Sequence, residues 1–92
     1  MKTIKLFATL RDVAGVRELH VPLQDGQTVR DLVKLVQDAC PALGDAMLDA
    51  HGELSGFVHI MVQGRNVQWL QGMETVIHDH DSLVFIPPAA GG

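Results

Sequence analysis

Between Thr28 and Cys40 lies a single long run of helical periodicity. Val29, Leu32, Val33, Val36, Ala39 and Cys40 recur three and four residues apart. They form one apolar stripe, with Arg30, Asp31, Lys34, Gln37 and Asp38 mostly away from it. A helix with one apolar stripe cannot bury that stripe by itself and needs a sheet face to lie on. Asp25-Gly26 is a turn signal, Thr28 stands where an N-cap belongs, and Asp31 three residues later suits the positive end of the helix. Pro41 disfavours helical geometry at Cys40, so the helix ends there. With 92 residues and 47% hydrophobic content, the chain can build one such core but not two.

The flanking segments supply the sheet. Lys2 to Leu10 alternate as a half-buried strand, with Ile4, Leu6, Ala8 and Leu10 on one face and Thr3, Lys5, Phe7 and Thr9 on the other. A link containing Gly15 leads to a second alternating run, Glu18 to Leu23, which predicts a β-hairpin whose apolar face the helix stripe covers. Pro22 marks that second strand as an edge, where a missing donor can face solvent. Beyond the helix, Ala42 to Ala50 suits a short helical turn and His51 to Gly56 a loop. Phe57 to Gln63 alternates again, with Val58, Ile60 and Val62 opposite Phe57, His59, Met61 and Gln63, until Gly64 breaks the run. Arg65 to Leu70 reads as a short fourth strand and Ser82 to Ile86 as the last. The order ββαββ(β) is an α+β plan: one main helix on one face of a mixed sheet.

The last strand stops at Pro87-Pro88 and is followed by Ala89, Ala90, Gly91 and Gly92. Proline lacks the N–H that a ladder needs and favours an extended exit. Residues 1–86 are therefore expected to form the domain and 87–92 an extended tail. At about 3 Å per residue the tail would carry its carboxylate up to about 19 Å from the sheet. Side chains that shrink to methyl groups and then to hydrogen suit a peptide threaded into a narrow channel, although chain ends are also commonly frayed.

This order resembles the ubiquitin-like β-grasp sulfur carriers of the molybdopterin-synthase small-subunit and thiamine-carrier (MoaD/ThiS) family. The resemblance rests on Ile4-Lys5-Leu6-Phe7-Ala8-Thr9-Leu10-Arg11-Asp12 with Ala14-Gly15 at the front and Val84-Phe85-Ile86-Pro87-Pro88-Ala89-Ala90-Gly91-Gly92 at the back. Asp79, Asp81 and Ser82 before the last strand add to it. It implies a β-grasp with four to five strands and a carrier role, that of a co-substrate and not a self-sufficient enzyme. An E1-like activating enzyme would adenylate the Gly92 carboxylate, a sulfur donor would convert it to a thiocarboxylate, and a downstream synthase large subunit or other sulfur-accepting enzyme would take the sulfur. The activation has a chemical reason. A carboxyl of pKa about 3.5 is ionised at neutral pH and resists attack until it gains a leaving group. The chain has no Gly-rich phosphate loop before a helix, so ATP and Mg²⁺ belong to the partner and no cofactor is expected on the chain itself.

Within that resemblance Gly92 bears the reactive carbonyl, and Gly91, Ala90, Ala89, Pro88 and Pro87 deliver it. Phe7 interrupts an otherwise polar strand face. If the first and last strands are neighbours, as the resemblance implies, Phe7, Met61 and Val84 or Ile86 form an apolar patch beside the tail root, suited to docking a partner unless a loop covers Phe7. Many relatives have glycine where His80 stands, so a positive φ there would cost stability. The acceptor pathway stays open: molybdopterin synthase for molybdenum cofactor biosynthesis, cysteine formation, or a sulfur-containing siderophore. A ubiquitin-like modifier joined to lysines and a non-catalytic β-grasp interaction domain are the other readings.

Several alternatives are disfavoured. The net charge of −4 and the lack of a basic stripe argue against nucleic acid. No apolar run is long enough to span a bilayer, no signal peptide is evident, and one cysteine cannot form an intramolecular disulfide, so the chain reads as soluble and cytoplasmic. His78-Asp79-His80-Asp81 offers donor types suited to a metal, but four adjacent residues rarely converge on one ion, and a solvated turn is expected with no metal site. Cys40 fits a small buried side chain on the stripe, without chemistry. Trp69 suits either a core plug or an interface anchor.

Overall fold

The computed structural model describes residues 1–88. Three strand segments meet at its centre. β1 (Lys2–Leu6) pairs antiparallel with β2 (Glu18–Val21) on one side and parallel with the last strand, β5 (Leu83–Ile86), on the other. β5 then pairs antiparallel with β3 (His59–Val62), and β3 with β4 (Arg65–Asn66), giving the order β2-β1-β5-β3-β4. Alternation places Ile4, Leu6, Val21, Ile60, Val62, Leu83 and Phe85 on one buried face.

The main helix, α2 (Val29–Ala39), joins that face through Val29, Leu32, Val33 and Val36, all buried. Its start is as the sequence predicts, and more fully made. Thr28 Oγ1 accepts from Asp31 N while Asp31 Oδ2 accepts from Thr28 N at 3.0 Å, a reciprocal capping box. The Val29 N–H, which has no partner inside the helix, donates to Thr75 O at 2.9 Å. The stripe is shorter than expected, because Ala39 is exposed and Cys40, the residue capping the end, is half-buried rather than buried. Pro41 ends α2 and also opens α3 (Pro41–Ala46), where its missing N–H costs nothing. The short helix expected after Cys40 thus starts one residue earlier and stops at Ala46. At Gly44 α3 packs closely on α2. A Cβ on Gly44 would lie 2.5 Å from Gln37 Cα.

All five strands are shorter than predicted, β2 ending at Val21 rather than Leu23 and β5 starting at Leu83 rather than Ser82. β1 stops at Leu6 because Ala8 adopts φ 52°, and the chain enters a helix, α1 (Thr9–Ala14), capped by Gly15 at φ 74°. Leu10 therefore reaches the core from a helix, 5% exposed, and not from a strand. β3 begins at His59, leaving Phe57 exposed, and ends in a hairpin turn with positive φ at both Gln63 and Gly64. β4 ends at Asn66, whose side chain accepts from Gln68 N at 3.0 Å and starts a 3₁₀ turn at Val67–Trp69. β2 is an edge strand as expected, with Pro22 just beyond its end.

The Gly44 contact makes a direct prediction. Gly44→Ala should cost about 1–3 kcal/mol through overpacking against Gln37 backbone, measured as the shift in denaturant midpoint. Acid should act through three carboxylates. Asp31 is held below its ordinary value of 3.8 by the Thr28 N–H, Asp49 by the N–H groups of Glu53 and then His51, and Asp25 by the Asp79 N–H. A carboxyl with a depressed folded pKa stabilises above its unfolded pKa and loses that contribution as pH falls through the folded one. Tm should therefore fall below about pH 4, and the Tm deficit of Asp31→Asn relative to wild type should shrink over the same range.

Candidate functional site

The parallel register Lys5↔Val84 and the antiparallel register Met61↔Val84 set Lys5, Val84 and Met61 in one row across the sheet face opposite α2. One step along, Ile86 faces His59, and the Phe7 N–H donates to Phe85 O at 3.2 Å. Phe7 thus stands beside the place where β5 ends and the tail begins. Val84, Ile86 and Met61 are half-buried and Phe7 is 41% exposed. By register Met61, Val84 and Ile86 lie on the sheet face opposite α2, and Phe7 follows the end of β1 beside Phe85. Ala89, Ala90, Gly91 and Gly92 lie outside the described residues.

Phe7 reaches this position differently from the sequence expectation. It is the first residue past the strand, and Arg11, in α1, lays its guanidinium 5.3 Å from the ring centroid. Arg11 Nε also donates to Leu6 O at 2.8 Å, satisfying a carbonyl at the strand end. Val16 and Arg17 of the α1–β2 link line the same hollow as Phe7. Arg11 was not singled out by sequence as a site residue, because its approach to Phe7 depends on the turn at Ala8 that ends β1 and opens α1. Asn66 Nδ2 donates to His59 Nδ1 at 3.1 Å, which fixes the imidazole next to Ile86.

The other candidates sit apart. Trp69 is 80% exposed, which excludes the core-plug reading. His78 and His80 stack with centroids 5.6 Å apart, while His78 Nδ1 lies 3.4 Å from Asp25 and His80 Nε2 3.5 Å from Asp81. His80 has no positive φ, so it carries none of the strain expected where relatives have glycine. The turn is a solvated clasp. Asp79 N donates to Asp25 Oδ1 at 2.8 Å, and Lys2 Nζ donates to His78 O and Asp79 O at 2.9 and 2.7 Å.

The sequence model of the ThiS family matches residues 4–92. The chain belongs to the ThiS family. Small archaeal modifier protein 3 of Haloferax volcanii is 32% identical over 89 residues, covering 97% of this chain and 96% of that protein. A protein of Archaeoglobus fulgidus that carries the name of a sulfur carrier protein is 37% identical over 65 residues, 71% of this chain and 74% of the other. Among solved structures, SAMP1 from Haloferax volcanii superposes with a TM-score of 0.81 at 30% identity over 99% of this chain and 98% of that one. This ThiS-family domain is a ubiquitin-like β-grasp. Among the described residues no helix is long and apolar enough to cross a membrane.

If the Phe7 surface docks a partner of this ThiS-family chain, removing the ring should separate binding from folding. Phe7→Ala should leave Tm within about 4 °C of wild type, because the ring is partly solvated. It should weaken partner affinity by about 2 kcal/mol, roughly thirtyfold, in titration calorimetry. A large loss of Tm with unchanged affinity would make Phe7 a packing residue instead.

Proposed function

We propose that this chain is a sulfur carrier whose Gly92 carboxylate is adenylated by an ATP-dependent activating enzyme and then converted to a thiocarboxylate. The observation that carries this reading is the family match running through a terminal Gly-Gly, in a fold whose last strand ends at Pro87-Pro88 beside an apolar surface. A carboxylate oxygen attacks the α-phosphorus of ATP and releases pyrophosphate. A sulfur nucleophile then adds to the acyl carbonyl and AMP leaves. Gly92 presents no side chain to that approach and Gly91 lets the backbone lie close to the enzyme. The activating enzyme supplies ATP and Mg²⁺ sites, and Phe7, Met61, Val84 and Ile86 supply the docking surface.

For the acceptor we propose molybdopterin synthase, this chain serving as its small subunit, on the strength of the Ile4-to-Asp12 and Val84-to-Gly92 segments. Cysteine or siderophore assembly would use the same thiocarboxylate. A second reading, a protein modifier joined to lysines through Gly92, is favoured by the likeness to small archaeal modifier protein 3. Both readings place the chain in the cytoplasm and share the activation step. They differ in the final nucleophile.

Intact-mass analysis after incubation with the cognate activating enzyme, ATP and a sulfur donor tests this. Replacement of one oxygen by sulfur is expected for the carrier, and lysine-linked conjugates for the modifier. Deleting Gly92 should abolish the thiocarboxylate without changing the circular-dichroism spectrum, and Cys40→Ala should retain it. A thiocarboxylate formed on the truncated chain would overturn the proposal.

A further inference from the structure

Acidic residues outnumber Lys and Arg eleven to seven in this chain, yet three of the seven cations meet at one place. Lys5, Arg11 and Arg17 line an open hollow of about 440 Å³ together with Phe7, Val16 and Glu18. The fold itself brings them there. Leu6 N donates to Arg17 O at 2.9 Å, joining the segment after α1 to the end of β1, while Leu6 O holds Arg11 Nε. Phe7 and Val16, 41% and 44% exposed, give the hollow apolar walls.

None of the three cations forms an ion pair within 4.0 Å among the described residues. The pairs that do form are Arg30–Glu74, His78–Asp25 and His80–Asp81, all elsewhere. Lys5 stands opposite Glu18 in register, and even that pair stays open. Like charges gathered on one surface repel one another, and an anionic partner relieves the repulsion. Glu18 is the one acidic residue among those lining the hollow, and among the described residues it makes no ion pair there. Arg11 is already oriented, by Leu6 O and by the Phe7 ring, so little of its freedom is lost on binding.

We infer that this hollow receives a carboxylate-bearing segment of the activating enzyme, an Asp/Glu loop with an apolar side chain that packs on Phe7 and Val16. The inference rests on the carrier reading above and adds to it the chemistry of the partner's surface. The apolar patch supplies contact area at the tail root; the cations beside it set orientation and encounter rate.

The test compares wild type with an Arg17→Glu, Lys5→Gln variant, both sites being exposed. Glutamine is used at Lys5 to avoid two carboxylates facing across β1 and β2. In calorimetry with the activating enzyme in the absence of ATP, Kd should rise about tenfold or more at low salt, and the difference should shrink near 0.5 M salt. Tm should match wild type, and Glu18→Lys should tighten binding. Equal affinities, with pyrophosphate release by both proteins, would overturn the hollow as a contact and leave the carrier reading intact. A loss of affinity seen only with ATP present would also overturn it, pointing to nucleotide phosphate rather than carboxylate. Wild type that releases no pyrophosphate would overturn the carrier reading and this inference with it.

Discussion

The parallel pairing of Ile4–Leu6 with Leu83–Phe85 joins the two ends of the domain at the middle of its sheet. A parallel pair cannot be made by a tight turn and needs a long crossover, here the segment containing α2, α3 and the β3–β4 hairpin. The pair becomes stable only when that crossover covers it. Ile4, Leu6, Leu83 and Phe85 are at most 2% exposed, and the α2 stripe belongs to the same buried cluster. Closing such a long loop costs chain entropy, and burial on one face together with ladder bonds on both sides of β5 opposes that cost.

The same pairing determines what lies on the other face. Because side chains alternate along a strand, burying Leu83 and Phe85 turns Val84 and Ile86 outward, next to Met61 and His59 on β3. Parallel alignment with β1 sets Phe7 beside the end of β5, where the tail departs. A one-residue slip would bury Val84 and Ile86 and expose Phe85, so core register and surface composition cannot vary independently. The outer strands guard against extension of the sheet: β4 has two residues, and β2 is followed at once by Pro22.

What was legible in the sequence was local. Thr28 marks the helix start by residue type within a few positions of its turn, and the stripe from Val29 to Val36 has one period, so both read directly, while the return bond from Asp31 did not. The segment from Leu6 to Leu10 was not separable, because a spacing of four fits the alternation of a strand and the turn of a helix equally well. What decides it is φ 52° at Ala8, which nothing about alanine announces. β4 was overextended for a related reason. Asn66 is compatible with a strand, but its side chain bonds the backbone two residues on and diverts the chain. The nearness of Phe7 to the end of β5 was legible once β1 and β5 were taken as neighbours. The cationic hollow was not, since it depends on the Leu6–Arg17 bond and on α1. The tail was read from residue type alone, and its last four residues lie outside the described structure.

Division of labour follows from where polar groups sit. The described interior is apolar except for Thr75, whose Oγ1 accepts from Gln71 N at 3.0 Å and whose carbonyl receives Val29 N. No buried side-chain polar atom among the described residues lacks a partner. An unpaired polar group in a core would raise the free energy of the fold, whereas an unpaired cation at the surface remains hydrated until a partner arrives. Lys5, Arg17 and the Nη groups of Arg11 are of the second kind. The core can thus be optimised for holding β5 in register, while these exposed side chains can be replaced without disturbing that register.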